Sequence, residues 1–345
     1  MKRFLLFFLM FSPGVLFAQI PAGYYDAAAG LQGDTLRQVL HQIIRNHSQQ
    51  TYSSLWIHFQ KTDKKSTGEV WDIYSDIPGG TPAYTYQFVT NQCGSYSQEG
   101  DCYNREHTVP SSWFNDAYPM YSDIFHLYPT DGFVNGKRSN YPYGTVNAPT
   151  WTSTNGSKLG PSASPGYTGT VFEPIGSYKG DLARTYFYML VRYLDVMQGW
   201  SSPMFAGDSL TTWARNMLLQ WHYQDTVSQK EINRNDSVYA IQGNRNPFID
   251  HPEWVAAIWD HSGIGLNSLP VVPSFTVSTW PDKVLIHNPA GELLTIKLTG
   301  LTGTTIFQVT SPDKEITLSP IRDKGVHILL VNSPRASLAR KIFTP

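Results

Sequence analysis

Apolar positions follow two different rhythms along the chain, and the change falls near Gly265. Before it the spacing is mostly helical. Leu36, Val39, Leu40, Ile43 and Ile44 follow Asp34, which predicts a helix capped by that aspartate. Asp181 opens a second such run through Leu182, Tyr186, Phe187, Leu190, Tyr193, Leu194 and Met197, and Asp208 a third with Leu210, Trp213, Met217 and Trp221. Ser228 and Glu231 stand at capping-box spacing behind Val227, and Pro252 suits the first turn of a short helix ending near Trp259. Two alternating runs, Trp71 to Ser75 and Tyr84-Tyr86-Phe88, predict strands, and residues 136–180 read as long irregular loops. Beyond Gly265 short alternating runs recur at Val284–Ile286, Leu294–Leu298, Thr305–Val309, Glu315–Leu318 and Val326–Val331, the pattern of a small β-sandwich. The predicted class is α+β: a mainly helical domain over 19–265, a linker over 266–275 bounded by prolines, and an all-β sandwich over 276–345.

Composition narrows the class. With 41% hydrophobic and 15% charged residues the chain is globular and excludes a coiled coil or a solvated linker. The 26 Lys and Arg nearly cancel the 27 Asp and Glu, so net charge offers a polyanion no attraction, and such a partner needs a local patch. Lys137, Arg138, Lys179 and Arg245 are the candidates for one. Met1-Lys2-Arg3, the apolar run from Phe4 and the small Ala18 form a signal-peptide pattern over 1–18, too short to span a bilayer. Loss of Lys2 and Arg3 would take the net charge from −1 to −3. No later stretch approaches the ~20 apolar residues of a membrane span. In an exported protein Cys93 and Cys102, without CxxC spacing, are expected to form a structural disulfide.

Acid, base and amide groups are dense only between Arg105 and Gly144. Glu106-His107 stands alone as a weak signal. Followed by a loop and by Asn135 on a helix, the pair can converge around one divalent ion that keeps water and a phosphate oxygen as its other ligands, which suits phosphoryl chemistry. His126, between Phe125 and Leu127, reads as a packed supporting histidine, and Asp131-Gly132 as a turn. Asn244 and Asn246 are expected to bind loop backbone. The aromatic helix faces at Tyr186-Phe187 and Trp213 to Trp221 read as core.

These residues carry a resemblance. Arg105-Glu106-His107-Thr108-Val109-Pro110 is similar to the signature of the bacterial endonuclease I family, secreted and periplasmic nucleases with a ββα-metal (His-Me) finger. Further blocks at Asp123–Asn140, Ala183–Met189 and Gln242–Phe248 fall in the family's order. The resemblance implies a secreted, sequence-nonspecific endonuclease for DNA and RNA, with His107 as general base and Glu106 and Asn135 as ligands of Mg²⁺ (Mn²⁺ or Ca²⁺ as substitutes). Some members carry a transition-state arginine in an insertion that has no Arg or Lys here; of Arg105, Arg138 and Arg184, the last is favoured because it lies in a matched helix. A non-catalytic nucleic-acid binder on the same scaffold and a phosphodiesterase for small substrates are the alternatives. The C-terminal module resembles a type IX secretion sorting domain at Asn288-Pro289-Ala290, Gly325–Val331 and Arg340–Phe343. This resemblance implies outer-membrane secretion machinery as a partner. The protein is expected to be a monomer without a membrane span.

Overall fold

The computed structural model describes residues 20–260 and 275–344, the latter with gaps at 281–282, 290, 301–303, 319–323 and 333–336. The signal segment over 1–18 and all but the last residue of the expected linker lie outside the described residues. Contacts divide the chain into two units, Met1–Asp260 and His261–Pro345.

The first unit is built on helices. α1 (Gly33–Ile44) buries Leu36, Leu40 and Ile44, as its spacing requires, but Gln32 precedes it and Asp34 sits inside the first turn, where its charge suits the helix dipole. α2 (Leu55–Thr62) was not signalled by the pattern. Two antiparallel strands, β1 (Tyr103–His107) and β2 (Leu127–Asp131), pair His107 with Leu127 and Tyr103 with Asp131, and α3 (Gly132–Arg138) follows at once. α4 (Lys179–Arg192) is buried on every side from Gly180 to Arg192 and packs against α1 and against α5 (Thr212–Gln224). It is the central helix of the unit. Ser228 and Glu231 make the expected capping box on α6 (Gln229–Gln242), and α7 (Pro247–Asp250) and α8 (Glu253–Trp259) close the unit.

Several expectations fail for local reasons. Trp71–Ser75 is not a strand: the Asp72 carboxylate accepts from the backbone N–H groups of Tyr74 and Asp131, both at 2.8 Å, and so turns the chain. Tyr84, Tyr86 and Phe88 do not form a strand either; they pack with Val70 and Tyr103 as a small aromatic cluster. The loop region holds a three-stranded antiparallel sheet, β3 (Trp151–Thr152), β4 (Lys158–Pro161) and β5 (Thr170–Glu173). Asp208 lies in the turn of a short hairpin, β6 (Phe205–Ala206) with β7 (Ser209–Leu210), so α5 begins later than expected.

Cys93 and Cys102 are disulfide-bonded. Closing this loop stabilises the native chain by roughly 2–3 kcal/mol on the chain-entropy account. The bridge also touches the functional region, because Gly132 donates to the Cys102 carbonyl at 2.9 Å. The double variant Cys93→Ser/Cys102→Ser should therefore lower the urea-derived unfolding free energy by about that amount. An unchanged midpoint would show that the bond adds no net stability.

Among the described residues the second unit has seven strands: β8 (Thr276–Trp280), β9 (Lys283–His287), β10 (Leu294–Gly300), β11 (Thr305–Ser311), β12 (Glu315–Leu318), β13 (Gly325–Asn332) and β14 (Ser337–Thr344). They form two antiparallel sheets in the orders β11-β10-β13-β14 and β12-β9-β8. Val284 and Ile286 of one sheet share a core with Ile296, Leu298, Leu329 and Val331 of the other, so alternate residues of both face inward.

Candidate active site

The strand–strand–helix unit of β1, β2 and α3 gathers three of the four expected site residues. Side chains alternate along β1, so Asn104 and Glu106 share one face while Arg105 and His107 share the other. Asp131 ends β2 and caps α3, accepting from the Val134 N–H at 2.8 Å, which confirms a turn-and-cap role for it. α3 has glycines at 132 and 136, one turn apart, and neither has room for a side chain. A Cβ at Gly132 would stand 2.6 Å from Cys93 Sγ, and one at Gly136 2.9 Å from the Tyr96 hydroxyl. Two glycines weaken a seven-residue helix, so its cap and this close packing hold it in place.

Two side-chain pairs tie α3 to β1, and Arg138 Nη1 also donates to the His107 carbonyl at 2.7 Å. Asn135 Nδ2 donates to Asn104 Oδ1 at 2.7 Å, and one turn on, Arg138 Nη1 lies 2.9 Å from Glu106 Oε1. Asn135 therefore stands on the Glu106 face of the strand, with its amide nitrogen engaged and its carbonyl oxygen turned from Asn104. Glu106 is buried, and the Tyr74 hydroxyl donates to its Oε1 at 2.8 Å. Burial pushes the Glu106 carboxyl up, while Arg138 and the Tyr74 hydroxyl pull it back.

His107 is half-buried on the opposite face. Its Nε2 lies 3.1 Å from the Tyr121 carbonyl. A carbonyl only accepts, so Nε2 carries the proton and the neutral ring keeps its lone pair on Nδ1. The ring stacks on Tyr121 at 5.0 Å and on Tyr52 at 5.7 Å. Burial first, and then the neighbouring His126, push its pKa down to about 3. His126 is fully buried, 5.4 Å from His107, with Nε2 donating to the Met120 carbonyl at 2.7 Å, the packed supporting histidine that was expected.

Arg184 is not brought to this unit. Its guanidinium is fully buried and bidentate on Glu231, Nε to Oε1 at 2.5 Å and Nη2 to Oε2 at 2.9 Å, and Nη1 donates to the Asp225 carbonyl at 2.7 Å. Its neighbours Thr185 and Tyr186 reach the unit instead, Thr185 Oγ1 lying 3.0 Å from the Tyr128 hydroxyl of β2 and Tyr186 donating to the Thr108 carbonyl at 2.9 Å. Arg184 is thus held in a buried ion pair with Glu231, away from β1 and α3. Three of the four candidates for a basic patch are paired, Arg138 with Glu106, Lys179 with Glu173, and Arg245 with Asp236 and Asp250, while Lys137 is half-exposed and lies over the Phe133 ring at 5.1 Å. Arg105 differs from these. It is half-exposed, and among the described residues no carboxylate pairs with it; it lies over the rings of Tyr52 at 3.7 Å and Trp56 at 4.4 Å.

Asn104, Tyr74 and Tyr121 were given no role from the sequence, nor was Tyr143, whose ring lies 4.7 Å from the Arg138 guanidinium and whose hydroxyl meets that of Tyr74. Asn104 carried a usable signal, since it stands two residues before Glu106 and so shares its strand face. Tyr74 and Tyr143 come from distant loops and had none. Asn244 and Asn246 bind backbone as expected, donating at 3.2 Å to the carbonyls of Ile44 and Arg184.

The model of the family described as Endonuclease I matches residues 32–253. The chain belongs to the endonuclease I family. Among its relatives, the extracellular ribonuclease of Bacillus amyloliquefaciens is 34% identical over 254 residues, covering 68% of this chain and 78% of the relative. The extracellular ribonuclease of Bacillus subtilis is 32% identical over 252 residues with the same coverage. The periplasmic deoxyribonuclease of Aeromonas hydrophila is 29% identical over 164 residues, 44% of this chain and 55% of the relative. A solved Bacteroides vulgatus protein of the DUF3244 family, with an immunoglobulin-like β-sandwich fold, aligns with 23% of this chain and 92% of its own at 17% identity and a TM-score of 0.21. Among the described residues no helix is long and apolar enough to cross a membrane.

Proposed function

We propose that this endonuclease I family member is an exported, metal-dependent nuclease that hydrolyses DNA and RNA without sequence preference, with His107 as the base. The observation that carries this reading is the Tyr121 carbonyl on His107 Nε2, which leaves Nδ1 as the ring's free acceptor. The relatives named above, extracellular ribonucleases and a periplasmic deoxyribonuclease, support both substrates and export.

Glu106 and Asn135 suit a divalent ion of the magnesium kind. Each offers a hard oxygen donor, and among the described residues no group of three His, Cys, Asp or Glu side chains could hold a metal, so such an ion would keep most of its waters. When bound, Mg²⁺ supplies positive charge that stabilises the phosphate and the leaving oxygen. The protein's own part is positional. Arg138 and Tyr74 fix the Glu106 carboxylate, Asn104 turns the Asn135 oxygen, and Nδ1 of His107 takes the proton of the attacking water. The new P–O bond forms as the P–O3′ bond breaks, leaving a 5′-phosphate, and the 3′ oxygen takes its proton from water. Contacts made to phosphate and sugar carry no base information, which accounts for nonspecific cutting. In this reading the C-terminal sandwich is the sorting module recognised by the outer-membrane secretion machinery.

The deciding measurement is nicking of supercoiled plasmid with Mg²⁺ and with excess EDTA. Cutting should vanish on chelation and return with added Mg²⁺. A protein that retards plasmid in a gel yet never cuts it would be a binder, and turnover of a small phosphodiester in preference to plasmid would also overturn the reading.

A further inference from the structure

One face of β1 continues into a row of rings that runs from the edge of the core to the surface. Arg105 lies over Tyr52 and Trp56 and donates to the Tyr52 carbonyl at 2.8 Å, Tyr52 packs tilted on Tyr121 at 4.5 Å, both flank His107, and Tyr118 meets Tyr121 edge-on at 5.4 Å. Tyr52, Trp56 and Tyr121 are half-buried against the core, whereas Tyr118 is 48% exposed at the end of the row. Its loop is already shaped. Asn115 and Asp116 hold left-handed backbone with φ of 56° and 53°, Asp116 donates to the Ser111 carbonyl, and Tyr121 donates to that of Ala117. Asn and Asp tolerate this region better than other side chains, but two in succession still hold the chain in a sparsely populated conformation beside the base.

We propose that this row is a stacking track for single-stranded nucleic acid, with Tyr118 receiving an unpaired base and Arg105 taking a backbone phosphate, so that the enzyme prefers single strands to duplex. An exposed ring near a half-exposed guanidinium that no carboxylate neutralises is what binds unstacked bases without reading their sequence. A duplex cannot use Tyr118 in this way, because each base is already covered by its neighbours and must be unstacked first. The preference rests on the nuclease reading, since it assumes that the strand crosses His107.

The test measures binding in EDTA at low salt, where nothing is cut, with oligonucleotides carrying 2-aminopurine, whose fluorescence is quenched by stacking. The wild-type chain should quench the single strand and bind it more tightly than the matched duplex. Tyr118→Ala should reduce the ratio of single-strand to duplex affinity by about 5- to 150-fold, the range for losing one stacked base. Tyr118→Trp should keep the ratio. An unchanged ratio in Tyr118→Ala, or no quenching by wild type, overturns the track. A wild-type chain that cuts plasmid while showing neither effect sinks only the track, whereas one that never cuts with Mg²⁺ sinks the nuclease reading itself.

Discussion

Replacing His107 with alanine is expected to slow plasmid cleavage by about two to four orders of magnitude, the usual worth of a positioned general base. The ring packs beside the Tyr52–Tyr121 pair, and its Nε2 is committed to the Tyr121 carbonyl, so Nδ1 is the nitrogen left to take the proton. With its pKa pushed down to about 3, the free imidazole stays neutral at pH 7 and ready to accept a proton. It is a weak base in that state, and a phosphodiester drawn alongside would raise its affinity for the proton as the reaction needs it. Gel retardation of plasmid in EDTA should persist in the variant, because Arg105 and the tyrosines that flank the ring are untouched. Initial rates near those of wild type would remove the imidazole from the mechanism.

What could be read from the sequence divides by the range of the interaction. The β1–α3 unit was visible because Glu106, His107 and Asn135 sit in one stretch of thirty residues, and the capping box was visible because Ser228 and Glu231 are three apart. Five of the seven described sandwich strands were visible from alternation over three or more residues, whereas β8 and β14 were not. Where side chains compete with the backbone ladder, alternation misleads, as Asp72 shows by taking the N–H groups of Tyr74 and Asp131. Strands of two to four residues containing Lys158, Gly160 and Pro161 carry too little pattern to separate from loop. Long-range partners were out of reach altogether: nothing near Arg138 names Glu106 as its partner, and nothing near Arg105 shows that it alone of the candidate arginines lacks a carboxylate.

Arg184 is the sharpest instance, and its replacement should separate stability from catalysis. Arg184→Ala leaves Glu231 buried without its bidentate partner, a change that typically costs about 3–5 kcal/mol. Against a total stability of roughly 5–15 kcal/mol this is a large fraction, and the urea midpoint should fall accordingly. The molecules that remain folded should still cut, because the guanidinium points from α4 toward Asp225 and Glu231 rather than toward β1. Much of the loss should come from the abandoned charge rather than from the missing attraction. Arg184→Met combined with Glu231→Gln tests this point, since glutamine keeps the capping geometry on α6 and carries no charge. That double variant should recover a substantial part of the stability lost in Arg184→Ala. If Arg184→Ala instead unfolds at the wild-type midpoint and fails to cut, the arginine belongs to the chemistry after all, and α4 would have to turn this side chain toward the substrate during the reaction.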